Sequence, residues 1–166
     1  QYAGLGGTNS LSPNGQVLAI AGGVNGTFLY NTVNFQLIRR LPSPGNTLAW
    51  SHDSNTLYIG FTGPANSSYV GMYDMISQNY SERSFPITGT PQLSLAPDGL
   101  TLSAYHQYNN VLQVLDANTL NTLKLYDRDV AGLFRAGGVT YLSDGQRMAV
   151  ATLDGPIGLM RNPFVP

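Results

Sequence analysis

At 166 residues the chain is long enough for one domain with a sizeable buried core. Charged residues make up only 10%, against about 25% in an average soluble protein, and the net charge of -1 leaves no field to hold phosphates or anionic lipid, so neither nucleic acid nor a membrane surface is an expected partner. Cysteine is absent, which removes disulfides, thiolate nucleophiles and Cys-type zinc sites, and no apolar run approaches the roughly 18 residues of a membrane span.

Taken in chain order, residues 1–7 (QYAGLGG) hold three glycines and make a poor strand; they are the segment left over to close a sheet or to exchange with a neighbouring copy. The stretch 4–9 (GLGGTN) looks like a phosphate loop only superficially, because no Lys-Ser/Thr follows it and no helical pattern starts there. A first unit, about 8–45, places a turn at Asn14 and then an alternating run, Val17, Leu18 and Ile20, which is the pattern of a half-buried strand. Asn25-Gly26 is expected to be a two-residue hairpin turn leading into TFLYN (27–31), and FQLIRRL (35–41) forms the next strand. A second unit, about 46–90, opens with NTLAW, whose Trp50 reads as core, followed by a turn in which His52 is expected to be solvated. Its strands continue through Leu57 and Ile59, YVGMYD (69–74) and YSERSFPI (80–87).

A third unit, about 91–137, runs through PQLSLA, the turn at Asp98-Gly99, the strand bearing Leu102 and Ala104, VLQVLD (111–116) and NTLKLYD (121–127). His106 ends the second strand of this unit inside AYHQYNN (104–110), which leads into a loop. Tyr105, His106, Tyr108 and Asn109 there have two readings: a ligand or partner site for a sugar or peptide, or a polar hairpin loop with exposed tyrosines. Asp127 and Asp129 flank Arg128; the cation between them points to a solvated loop rather than a Ca²⁺ site. A fourth unit, about 138–166, has GVTYL, Asp144-Gly145, Met148 and Val150, and PIGLMR, and then runs out before an outer strand.

Asn14, Asp53, Asp98 and Asp144 therefore recur at spacings of 39, 45 and 46 residues. A period of that length marks a supersecondary unit that buries its apolar face against copies of itself. No apolar run keeps a helical period, so the expected class is all-β: about four four-stranded antiparallel blades, the last lacking its outer strand. The runs "SPNGQVLAIAGG…FLYN", "APDGLTLSAY…VLQVLD" and "LSDGQRMAVAT…IGLM" resemble the repeats of WD40-like and YVTN-type β-propellers over nearly the whole chain. The Gly-His and Trp-Asp dipeptides of WD40 repeats are missing, with Tyr73-Asp74 and Leu115-Asp116 in the second place, Asn31 in the first unit and Arg161 in the last. The buried Asp-His-Ser/Thr-Trp network of that family does not carry over.

Three arrangements suit such a chain: a closed four-bladed ring, blades completed by other copies, or part of a longer propeller. An unpaired edge and bare blade faces favour the last two. No nucleophile, base and acid are spaced as a triad, and no G-x-S-x-G elbow occurs, so no catalytic residue, metal or cofactor is expected. Sequons at Asn25, Asn66 and Asn79 all fall in expected loops, where a glycan is tolerated. The expected function is that of an extracellular or cell-surface structural and interaction module, with protein partners including copies of itself, and with glycans as a further ligand class. The alternatives are part of a propeller enzyme resembling YVTN-type lactonases, or an intracellular WD40-like scaffold.

Overall fold

The computed structural model describes residues 8–127, 136–152, 157–162 and 164. The expected closing segment 1–7, and Arg128 and Asp129 of the acidic loop, lie outside the described residues. Two compact units divide the chain, Gln1–Pro86 and Ile87–Pro166.

In the first, β1 (Asn9–Leu11), β2 (Val17–Ala21), β3 (Thr27–Asn31) and β4 (Leu37–Leu41) make one antiparallel sheet in sequence order. β5 (Thr47–Trp50), β6 (Thr56–Thr62), β7 (Ser67–Asp74) and β8 (Tyr80–Thr88) make the second. The other unit holds a third sheet of β9 (Pro91–Leu95), β10 (Thr101–His106), β11 (Val111–Asp116) and β12 (Thr122–Tyr126). The fourth has three strands, β13 (Ala136–Tyr141), β14 (Arg147–Thr152) and β15 (Gly158–Arg161). Among the described residues, four up-and-down sheets of 4, 4, 4 and 3 strands are the blades the repeat predicts.

The four aligned turns share one geometry. Gly15, Ser54, Gly99 and Gly145 have φ of 73, 65, 73 and 67°, and each N–H donates back to the carbonyl three residues earlier at 2.8 to 2.9 Å. The preceding side chain fixes the turn: Asn14, Asp53, Asp98 and Asp144 each accept the N–H two residues on, at 2.9 to 3.0 Å. Left-handed backbone suits Gly and strains Ser54, whose Oγ receives the Asn14 N–H at 3.0 Å. A second family of turns follows the third strands. Asn31, Asp74 and Asp116 accept N–H bonds from Val33, Ile76 and Asn118 at 2.8, 2.9 and 3.0 Å, which is the backbone-mimicking bond expected of these side chains.

One turn departs from expectation. Asn25-Gly26 is not a two-residue hairpin: residues 22–26 form a longer loop around a 3₁₀ turn, Gly23–Asn25, closed by the Gly22 N–H to the Gly26 carbonyl at 2.9 Å. Of the pair only Gly26 has positive φ, 96°, and a Cβ there would run into the Leu41 carbonyl.

Within each unit the two sheets pack face to face. Ala19, Leu29 and Leu41 of the first sheet meet Trp50, Leu57, Ile59 and Phe61 of the second. Trp50 is the expected core residue, and its Nε1 donates to the Ser10 carbonyl at 3.2 Å, tying β5 to β1. In the other unit Ala96, Tyr105 and Leu112 meet Val139, Tyr141, Met148 and Val150, with Thr101 Oγ1 and the Tyr141 hydroxyl 3.1 Å apart. The outer strands β4 and β12 are exposed along most of their length. Here the chain spends its scarce cations, Arg39 over Tyr73, Arg40 over Phe28 and Lys124 over Tyr126, at 5.5 to 5.8 Å from the ring centres. Charge on an open edge discourages unwanted strand addition.

Candidate functional site

The stretch singled out in the third unit splits into two parts. β10 is buried at all six positions, so Tyr105 and His106 belong to the interior and not to a ligand-facing loop. A strand covered on both sides buries consecutive residues, and the alternation that would have exposed one of them does not operate. The Tyr105 hydroxyl donates to Asn110 Oδ1 at 3.2 Å, across the loop that joins β10 to β11. His106 Nε2 lies 3.3 Å from Gln113 Oε1, and the Gln113 amide donates to Thr122 Oγ1 at 2.7 Å. His106 Nδ1 has no hydrogen-bond partner. Burial, opposed only by the Gln113 bond, pushes its pKa from 6.5 down to about 4. A neutral imidazole held this way is a structural group.

Tyr108 and Asn109 remain at the surface. Tyr108 is 83% exposed, yet its ring edge lies against Gly89, where a Cβ would come within 2.6 Å of the ring. Gly89 has φ of 89°, so both its conformation and this contact call for glycine. Asn109 Oδ1 accepts the Thr88 hydroxyl at 2.6 Å. The loop is thereby strapped to residues 88–89 and presents one ordered aromatic face beside an amide. Such a face stacks on a sugar or packs on an apolar side chain.

The sequon asparagines Asn25, Asn66 and Asn79 are all exposed. Asn25 and Asn66 end the two 3₁₀ turns, Gly23–Asn25 and Pro64–Asn66, and Asn79 closes the turn before β8. His52 is exposed in its turn, as expected. The carboxylates are engaged in folding: hydroxyl and backbone donors from Ser51 and Asn55 hold Asp53 below the usual range, Ser77 does so for Asp74, Thr119 for Asp116, and Arg147 for Asp144. Among the described residues no three His, Asp or Glu side chains gather into a metal-holding group, and no helix is long and apolar enough to cross a membrane.

Two features were missed in the sequence. Gly22 and Gly63 each lie under the aromatic ring six residues on, Phe28 and Tyr69, and a Cβ at either would strike that ring; the shared six-residue spacing was the available signal. A shallow apolar cleft of about 340 Å³ opens on the fourth sheet, lined by Gln92, Gly138, Thr140, Ala149, Ala151 and Ile157.

No model of a known protein family matches the sequence, and no curated protein matches it. Solved structures do share its fold. The hydrazine synthase of Kuenenia stuttgartiensis aligns over 92% of this chain and 45% of its own, with a TM-score of 0.72 at 15% identity. A chain of a mitotic checkpoint complex aligns over 93% of this chain and 46% of its own, with a TM-score of 0.70 at 18% identity. The chain thus spans less than half the length of these structures, and the likeness establishes a propeller-like fold. At such identities the fold carries no activity with it.

Proposed function

We propose that this chain is a non-catalytic interaction module that works outside the cell or at its surface. Its partners are proteins, copies of itself included, with glycans as a further ligand class, and it needs no cofactor. The observation that carries this reading is the apolar, charge-poor surface at matching turns of the first two sheets: Val33, Phe35 and Ile76 are 87, 73 and 75% exposed. Side chains of this size, repeated at equivalent turn tips, offer contact area to a partner without competing charge. Asn25, Asn66 and Asn79 are accessible to glycan addition in the same unit.

The test has two arms. Chain recovered from the cells that make it is treated with glycosidase in heavy-oxygen water and mapped by mass spectrometry. Label at one or more of the three asparagines, on chain found outside the cells, is the expected result; unlabelled chain confined to the interior favours the intracellular scaffold. Purified chain is also given a panel of lactones and esters, and turnover above buffer overturns the non-catalytic reading. The second reading, part of a larger propeller enzyme resembling YVTN-type lactonases, is favoured by the chain's covering only 45 and 46% of the two structures it aligns with.

A further inference from the structure

The packing of the first two sheets supplies an internal standard for what covers a blade face in this chain. Ala19, Ala21 and Leu29 of the first sheet are fully buried, and Ala19 and Leu29 share one core with Trp50, Leu57, Ile59 and Phe61 of the second. Counted from the equivalent turn residues Asn14 and Asp144, the same positions of the fourth sheet are Ala149 and Ala151. Ala149 pairs with Leu159 across its ladder as Ala19 pairs with Leu29. The chemistry of the face is repeated and its cover is not: Leu159 is 61% exposed where Leu29 is 0%. Ala149 and Ala151, with Gly138, Thr140 and Ile157, line the cleft of about 340 Å³. Further along the same ladder Arg147 pairs with Arg161, and the Arg147 guanidinium is bound to Asp144 at 2.7 Å.

The far face of the first sheet carries the complementary set. Leu11 pairs with Leu18, and Leu18 with Tyr30, as Trp50 pairs with Leu57, and Leu57 with Tyr73. Ile20 stands where Ile59 does, two residues along the same strand. Leu11 is 55% exposed, and Leu18, Ile20 and Tyr30 are half-buried. The set that covers Ala19 and Leu29 thus has a second copy on the far face of the first sheet, and the set it covers has a second copy left open on the fourth.

We infer that the first sheet of one copy of this chain docks on the fourth sheet of another, continuing between molecules the packing the second sheet makes on the first within one molecule. The inference rests on the interaction-module reading and names its surface. The contact is head-to-tail, so each copy has one donor face and one acceptor face. A three-strand by five-residue face measures roughly 17 by 14 Å, below the roughly 800 Å² per partner of a standard stable interface, so association belongs in the micromolar range or weaker.

The test is sedimentation velocity of the 166-residue chain from about 5 to about 500 µM, with two surface variants, Leu159→Glu and Leu11→Glu. Wild type is expected to shift to larger species as concentration rises, and each variant alone to stay monomeric. An equimolar mixture of the two keeps one good acceptor face and one good donor face, and is expected to stop at a heterodimer. Wild type that stays monomeric throughout overturns the inference, as does self-association that survives in either variant, or a mixture that stays monomeric. Leu159→Gln and Leu11→Gln replace any glutamate variant that loses its β-sheet circular dichroism. A monomeric chain that still carries glycan and turns over no substrate leaves the module reading standing while this inference fails; turnover of a lactone removes the reading itself.

Discussion

Acid should destabilise this protein through one side chain, His106. Its ring is fully buried, Nε2 faces Gln113 Oε1, and Nδ1 has no partner. Protonation would place an unpaired N–H and a charge in the interior, which is why burial lowers the pKa from 6.5 to about 4. In the unfolded chain the imidazole takes its proton near pH 6.5. Above that value both states are neutral and the group costs nothing; as pH falls from 6.5 toward 4 the unfolded chain binds the extra proton, and stability is lost. The window spans about 2.5 pH units at about 1.36 kcal/mol each, so roughly 3 kcal/mol disappears by pH 4 and about 2 kcal/mol by pH 5. The turn aspartates also lose stability with acid, but their window opens only below their ordinary value of 3.8. Urea titrations at pH 7, 6, 5 and 4.5 separate the two effects, with His106→Phe as the control. That variant orphans the Gln113 oxygen and should be weaker by about 1 to 3 kcal/mol at pH 7, but level down to pH 4.5. A wild-type stability that does not change between pH 7 and 4.5, or a slope that persists in His106→Phe, refutes the reasoning.

Gly26→Ala forces a Cβ onto the Leu41 carbonyl at φ 96°; it should cost about 2 kcal/mol or more and lower Tm by about 4 to 8 °C, read by calorimetry. Asp116→Ala frees the N–H groups of Asn118 and Thr119 and the Thr119 hydroxyl, all held by one carboxylate oxygen. A loss of about 1 kcal/mol, discounted for solvent, and a Tm about 2 to 4 °C lower are expected, with Asp116→Asn recovering part of the difference. Trp50→Phe removes the bond to the Ser10 carbonyl, and hydrogen exchange in residues 9–11 should speed up about fivefold for the roughly 1 kcal/mol lost; unchanged exchange there would mean that β1 is held by its ladder alone.

The repeat was legible because its punctuation is local. Asn14, Asp53, Asp98 and Asp144 mark turns by bonding their own backbone, and Asn31, Asp74 and Asp116 do the same at the next corner; neither needs a tertiary partner to be recognised. Three things were not legible, for different reasons. β1 is three residues, Asn-Ser-Leu, too short to show alternation, and it exists because β2 pairs with it. Asn25-Gly26 carries the commonest hairpin pair, but in the 22–26 loop the positive φ goes to Gly23 and Gly26 while Asn25 keeps an ordinary one. At Tyr105 and His106 polarity does not bring exposure. In a strand buried at all six positions the histidine is accommodated by a matched amide, Gln113, on the neighbouring strand. Tyr108 and Asn109, beyond the end of that strand, are where exposure and polarity coincide.

The strictly sequential order of strands within every sheet has a consequence for synthesis. Among the described residues no sheet contains a crossover, so each strand finds its partner in the segment made just before it. The first sheet has all of its strands once Leu41 has left the ribosome, and the third by Tyr126, with no wait for distant sequence. Translation therefore releases the molecule as a succession of finished hairpins, and its slow steps are the meetings between faces. Each sheet stands uncovered from the completion of its own strands until the next sheet is made, and that interval is where a chaperone would have the most to hold.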